Sequence, residues 1–233
     1  MAYSSRMRIL EAALAAWVAL AAAPPPAQPP PEGQPPRGRY GNPTDLESYM
    51  ARLVDPARDA WQKPAEVVAA LGLRAGDTAC DIGAGPGYFT LRLAAAVGPS
   101  GRVYAVDVEP AILGALRDRL QGAPLRNVVP VLALADDPLL PPATCDLALI
   151  VDAYHHFPDG TAYLRRLARA LRPGGRIVDI DYHKRPTPIG PPQDHRLARE
   201  DFLAQARAAG LELAAESELL LPNQYFVVVK PAG

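Results

Sequence analysis

The chain has 233 residues, 49% hydrophobic and 21% charged, which suits one globular domain of ordinary size plus an extension. Twenty-four basic residues face 25 acidic ones, a formal net charge of -1, and no basic block stands out. This composition lacks the electrostatic footprint of a general nucleic-acid binder.

The chain opens with "MAYSSRMRILEAALAAWVALAAA" (1–23). Arg6 and Arg8 precede a uniformly apolar run at 12–23, and Ala19-Leu20-Ala21 fits a small-x-small cleavage site. The pattern is that of a secretory signal and points to export or the periplasm. The alternative is an Ala-rich N-terminal helix or a disordered extension, with Glu11 at the edge of the apolar run. The run is shorter than the ~20 residues of a comfortable membrane span, so no stable transmembrane segment is expected. Many of the 27 prolines crowd the next stretch, and 24–43 reads as an extended linker, because proline donates to no helix or sheet ladder. Residues 44–233 then read as the folded domain.

"TDLESYMARL", with Thr44 as its cap, predicts a helix, and Pro64 and Gly72 bracket a second one. "TACDIG" (78–83) is a short apolar strand, followed by helix at 87–97. The alternation continues with a strand at 102–108, a helix at 110–120 and a strand at 127–134, short or distorted because it contains Pro130. Next come a strand at 146–152, a helix at 160–173, a strand at 176–182 and a helix at 198–210 closed by Gly210. "LELAAESELLL" and "QYFVVVK" follow as two strands with no helix between them. Such alternation predicts a doubly wound, mostly parallel α/β sheet with a C-terminal antiparallel hairpin. Cys80 and Cys145 lie in or beside apolar runs without metal-like spacing. They read as two small buried thiols, with nothing to suggest a disulfide framework.

Ligands of such sheets bind at the carboxyl ends of the strands, where the first strand turns into its helix. Gly83-Ala84-Gly85-Pro86-Gly87 occupies that turn. Glycine permits positive φ and close approach of a ligand, and the helix behind it offers N–H groups. The spacing is G-x-G-x-G, not the G-x-G-x-x-G of dinucleotide sites. Asp81, two residues before the first glycine, suits a ligand carrying ammonium and sulfonium charge better than a pyrophosphate. Asp107 ends the next strand, where an acid can accept two hydrogen bonds from a ribose diol. Val108 is placed to pack on an adenine face, and Asp136 or Asp137 to accept from its amino group.

"DIGAGPGYFT", "VYAVDVEPAIL", "CDLALIVDAYHHF" and "LARALRPGGRIVDIDY" together resemble the motifs of class I S-adenosylmethionine-dependent methyltransferases. The resemblance runs from about Trp61 to Lys230. It implies a seven-stranded Rossmann-like sheet, S-adenosylmethionine as cofactor, and methyl transfer (EC 2.1.1.-). Asp81, Gly83, Ala84, Gly85, Gly87, Asp107, Val108, Asp136 and Asp152 are then the cofactor-binding candidates. A nicotinamide-dependent oxidoreductase and a non-catalytic nucleotide-binding protein are the competing readings. The glycine spacing and the lack of a Tyr-x-x-x-Lys pair argue against the oxidoreductase.

Methyl transfer is an in-line displacement that positioning alone can drive. A general base helps only where the acceptor must lose a proton. His155 and His156, in "VDAYHHF", are the candidates for such a base or for an anchor of the cofactor's carboxylate. Asp152, Asp179, Asp181 and His183 stand at strand ends where oxygen ligands could hold Mg²⁺, but a structural role is expected instead, and no metal site is predicted. Trp61 is a candidate cover for the cofactor. Near-zero net charge points to a small-molecule acceptor. Cytosolic synthesis of the cofactor argues for the cytoplasm against the signal-like segment.

Overall fold

The strands lie where apolar residues run without interruption, and successive side chains enter opposite layers of core. The computed structural model describes residues 42–233, so the signal-like segment 1–23 and most of the linker lie outside the described residues. Within them, seven strands form one sheet in the order β3-β2-β1-β4-β5-β7-β6. β1 (Thr78–Ile82), β2 (Arg102–Asp107), β3 (Val128–Leu132), β4 (Cys145–Val151) and β5 (Leu171–Tyr182) run parallel. β6 (Leu211–Ser217) and β7 (Gln224–Pro231) complete the sheet, with β7 antiparallel to both of its neighbours. The doubly wound order and the closing hairpin are as the alternation predicts.

β1 and β4 are buried along nearly their whole length, as helix-covered parallel strands must be. Cys80, Ile82, Ala148 and Ile150 enter one layer with Leu164, Leu167 and Phe202. The alternate residues Ala79, Leu147 and Leu149 enter the other, with Val67, Leu93 and Val97. Two helices, α1 (Leu46–Leu53) and α2 (Asp59–Gln62), precede those that cover the sheet, α3 (Pro64–Ala70), α4 (Thr90–Val97), α5 (Pro110–Gln121), α6 (Gly160–Ala170) and α7 (Arg199–Ala208). Leu164 and Leu167, fully buried one turn apart on α6, each contribute about 1.5–3 kcal/mol of burial. β3 is an edge strand that pairs with β2 alone, which is why Pro130 is tolerated within it.

Several local expectations shift. α1 (Leu46–Leu53) is capped by Asp45, whose side chain accepts from Ser48 N–H, and not by Thr44. Residues 83–89 form a turn, and α4 starts only at Thr90. α6 stops at Ala170, where the chain passes directly into β5. The cysteines differ most. Cys80 and Cys145, both fully buried, form a disulfide with a Cα–Cα distance of 5.9 Å. They sit on neighbouring strands, and a register irregularity between Cys145 and Leu147 accompanies the pairing. A separation of 65 residues gave no hint of it in the sequence. Among the described residues, no helix is long and apolar enough to cross a membrane.

Candidate active site

The parallel register brings the strand ends level. Ile82 pairs with both Val106 and Ile150, and Val151 pairs with Ile180. The residues that follow, Gly83, Asp107, Asp152 and Asp181, therefore meet at one edge of the sheet. A cavity of about 450 Å³ opens there. Its floor is the glycine turn, tied down where the N–H groups of Gly83 and Ala84 both donate to the Val106 carbonyl at 2.8 and 3.0 Å.

The glycines do different jobs. Gly85 has φ +57°, and a Cβ there would stand 3.5 Å from Leu53 Cδ1 on the far cavity wall. It is the position that keeps the floor open to a ligand. At Gly83 a Cβ would come within 2.5 Å of Ala153 Cβ, so this glycine lets the turns after β1 and β4 abut. Gly87 does not line the cavity; a Cβ there would strike Leu116 and Leu91, so its role is packing against α5, not the ligand contact expected of it.

Two buried carboxylates flank this floor. Asp81 accepts from Thr90 Oγ1 at 2.6 Å, and burial pushes it up to about 6. Asp107 accepts from Gly85 N–H at 2.9 Å through one oxygen and from Glu109 N–H at 3.0 Å through the other. Burial raises it above the usual carboxylate range. A carboxylate has about four acceptor positions, so Asp107 holds the turn in place and retains capacity for two further donors. Val108 lines the wall beside it.

The opposite wall comes from the end of β4 and from residues before β1. Asp152 lies in the left-handed region, φ +52°. Its Oδ2 pairs with Arg58 Nη2 at 3.1 Å, and its Oδ1 accepts from Gln224 Nε2 at 2.6 Å. Gln224 in turn accepts from Gln62 Nε2 at 2.9 Å, and Gln62 accepts from Arg58 at 3.0 Å. These four side chains close a ring of hydrogen bonds. The guanidinium of Arg58 also lies 4.3 Å over the Tyr88 ring. Sequence reasoning missed Arg58, Gln62 and Gln224, as well as Asn42, Tyr49 and Leu53, which line the cavity from the N-terminal side. Asn42 belongs to the stretch assigned to the linker.

After Asp152 the chain makes a single 3₁₀ turn, Tyr154–His156. His155 and His156 both line the cavity. His155 Nδ1 stands 2.7 Å from Asp181 Oδ2, with the side chains 8% and 0% exposed. His156 is exposed and lies beside the His155 ring, 4.2 Å between centroids.

Two expected contacts are not brought to the cavity. Asp136 and Asp137 both turn to Arg166, and the loop presents Ala133 and Ala135 to the wall instead. Trp61 packs against Tyr182 at 5.9 Å rather than covering the site. Asp179 is buried behind Asp181, and burial holds it well above the usual range.

Residues 79–175 match the family model described as "Methyltransferase domain". The chain is 33% identical over 156 residues to 27-O-demethylrifamycin SV methyltransferase of Amycolatopsis mediterranei, an alignment covering 61% of this chain and 56% of that protein. It is 30% identical over 162 residues to the Escherichia coli ubiquinone/menaquinone biosynthesis C-methyltransferase UbiE, covering 66% and 63%. The chain spans about half the length of the curated relatives it matches. A solved S-adenosylmethionine-dependent methyltransferase from Aquifex aeolicus superposes with a TM-score of 0.74 at 25% identity, covering 78% of this chain and 96% of that one. With the strand order, the glycine turn and the strand-end acids in place, the chain is similar in sequence and fold to S-adenosylmethionine-dependent methyltransferases.

Proposed function

We propose that the chain binds S-adenosylmethionine in this cavity and transfers its methyl group to a small-molecule acceptor. The observation that carries the reading is Asp107, anchored by the N–H groups of Gly85 and Glu109 directly beside the open glycine floor. The donor set suits the cofactor: Asp107 for a ribose diol, Val108 and Ala133 for the flat face of an adenine, and Asp81 for the cationic end. A Cβ at Gly85 would narrow this cradle. When bound, S-adenosylmethionine supplies an electrophilic methyl group on a sulfonium that leaves as a neutral thioether. The chain's own residues bind and orient it, while Arg58, Tyr49 and Leu53 cover the cavity against water. Relatives whose names specify a rifamycin and quinones support a small acceptor. Calorimetry with S-adenosylmethionine and S-adenosylhomocysteine tests the reading; failure of both to bind, with NAD binding instead, would refute it.

We also propose that the protein works in an oxidising compartment. Two features support this: the signal-like segment ahead of the linker, and the Cys80–Cys145 disulfide, a bond that reducing cytosols disfavour. Thiol alkylation of the protein from fractionated native cells tests it. Free thiols on a cytosolic protein would end the idea.

A further inference from the structure

We propose that Asp179 is held in the fold as a neutral carboxylic acid, and that this buried proton is a pH-sensitive element of β5: it stabilises the domain in acid, and the stabilisation is lost as the pH rises. The inference does not depend on what the cavity binds.

The first ground is the contrast between two aspartates on one strand. Side chains alternate along β5, so Ile177, Asp179 and Asp181 enter the same layer, the one that holds Tyr154, Phe202 and Tyr225. Both aspartates are fully buried. Asp181 is engaged at each oxygen: Oδ1 accepts from the Tyr182 N–H at 2.7 Å, and Oδ2 faces His155 Nδ1 at the same distance. Asp179 has no such support. Among the described residues neither of its oxygens has a hydrogen-bond partner, and neither does the Tyr225 hydroxyl. That hydroxyl, on the antiparallel neighbour β7, lies near enough to act on Asp179 without closing a bond in this structure.

The second ground is charge. A carboxylate removed from water needs a cation or several donors to offset its lost hydration. The charged side chains that bear on Asp179 are Asp181 on its own strand and Asp152 at the end of β4, both acids. An ionised Asp179 would be repelled by both. A neutral carboxyl escapes these costs and offers Tyr225 a donor as well as an acceptor. Burial, with Asp181 beside it, accordingly holds the acid well above the usual carboxylate range. The other titratable groups of this region are Tyr154 and Tyr225, His155 against Asp181, Arg58 against Asp152, and His183, whose ring lies 5.9 Å from that of Tyr225. Burial pushes both phenols upward, so they stay neutral. From α7 the layer receives Phe202 and Gln205, which accepts from the Tyr154 hydroxyl at 2.7 Å, and neither of these titrates.

The sign follows from the two states of the chain. In the unfolded chain this carboxyl ionises in the ordinary aspartate range, about 4. Below that range both states hold the proton, and the contribution to stability is complete. Above it the unfolded chain releases a proton that the folded chain keeps. The unfolding constant then rises about tenfold per pH unit on this account, until the folded carboxyl ionises too.

The test uses the full chain. Carbon-13 spectra of the aspartate carboxyls should show Asp179 un-ionised at pH 7, where an ordinary aspartate is charged. Urea unfolding of wild type and Asp179→Asn at pH 5 and pH 7 then measures the linkage. The amide is neutral at both pH values, so the ratio of the two unfolding constants should move about a hundredfold in the variant's favour between them. The other acids titrate in both proteins and drop out of that ratio. An Asp179 carboxyl that is ionised at pH 7 would overturn the inference, even if the variant fails to fold. So would a ratio that stays within threefold from pH 5 to pH 7.

Discussion

Replacing Asp107 by alanine tests the cofactor site at its most constrained point. The carboxylate is 8% exposed and accepts from two backbone N–H groups at 2.9 and 3.0 Å. Two losses follow from removing it. A ribose diol would forfeit two charge-assisted hydrogen bonds, about 1.5–3 kcal/mol each, or about 3–6 kcal/mol for the pair. That corresponds to a ~10²–10⁴-fold weaker Kd. The Gly85 N–H, left without its acceptor, also frees the turn, so the loss should sit at the upper end. Opposing this, burial raises the Asp107 pKa, so its removal relieves a desolvation cost and the donor-free protein should lose little stability. Calorimetric titration with S-adenosylmethionine, paired with a thermal melt, separates the two effects. Asp107→Asn, which keeps an acceptor oxygen for one N–H, should fall between wild type and alanine. Affinity within tenfold of wild type in a folded Asp107→Ala protein would remove this residue from the ribose site.

Asp81 gives a pH signature. Its folded pKa is raised to about 6 by burial, so protonated Asp81 stabilises the donor-free protein at low pH and that contribution fades as pH rises through 6. Binding a cation requires the ionised form, so donor affinity should fall about tenfold per unit below pH 6, with proton release detectable in buffers of different ionisation enthalpy. Flat affinity from pH 7.5 to 5 would argue against Asp81 facing the cationic end. Gly85→Val should cost about 1–2 kcal/mol of stability from its left-handed φ and at least tenfold in donor affinity, read by melting and calorimetry. Replacing both Cys80 and Cys145 by alanine opens a 65-residue loop and should lower stability by up to about 4 kcal/mol, measured by urea unfolding without reductant; an unchanged midpoint would mean the thiols are not paired.

What the sequence made legible is what local pattern determines. The apolar run 78–82, the glycines after it and an acid about twenty residues on are properties of one βαβ unit, and the register of β1 with β2 places Asp107 at the turn almost by geometry alone. Long-range partners left no such trace. Arg58 meets Asp152 across 94 residues and Gln62 meets Gln224 across 162, and each reads in isolation as an ordinary surface residue. Asp136 looked like a ligand because it follows β3, but Arg166, on the flanking helix α6, captures it and its neighbour. In the sequence Asp181 reads as structural. Only the path of the Tyr154–His156 turn brings a histidine against it.

That path itself depends on Asp152, which links the cover of the cavity to its chemistry. Aspartate tolerates the left-handed region better than most residues, yet the conformation needs support from its surroundings. Here the Asp152 N–H donates to Ile180 O at 2.9 Å, while both side-chain oxygens are held by the ring through Arg58 and Gln224. The sharp exit from β4 that results packs Ala153 against Gly83 and turns His155 back toward the end of β5. Arg58 and Gln62 come from the segment ahead of β1, whose preceding helix supplies Tyr49 and Leu53 to the cavity wall. One carboxylate therefore both latches the N-terminal cover and sets the turn that carries the histidines. The Arg58 contact and the left-handed turn that carries His155 are thus tied together: loss of Arg58 removes one of the two side-chain partners of Asp152.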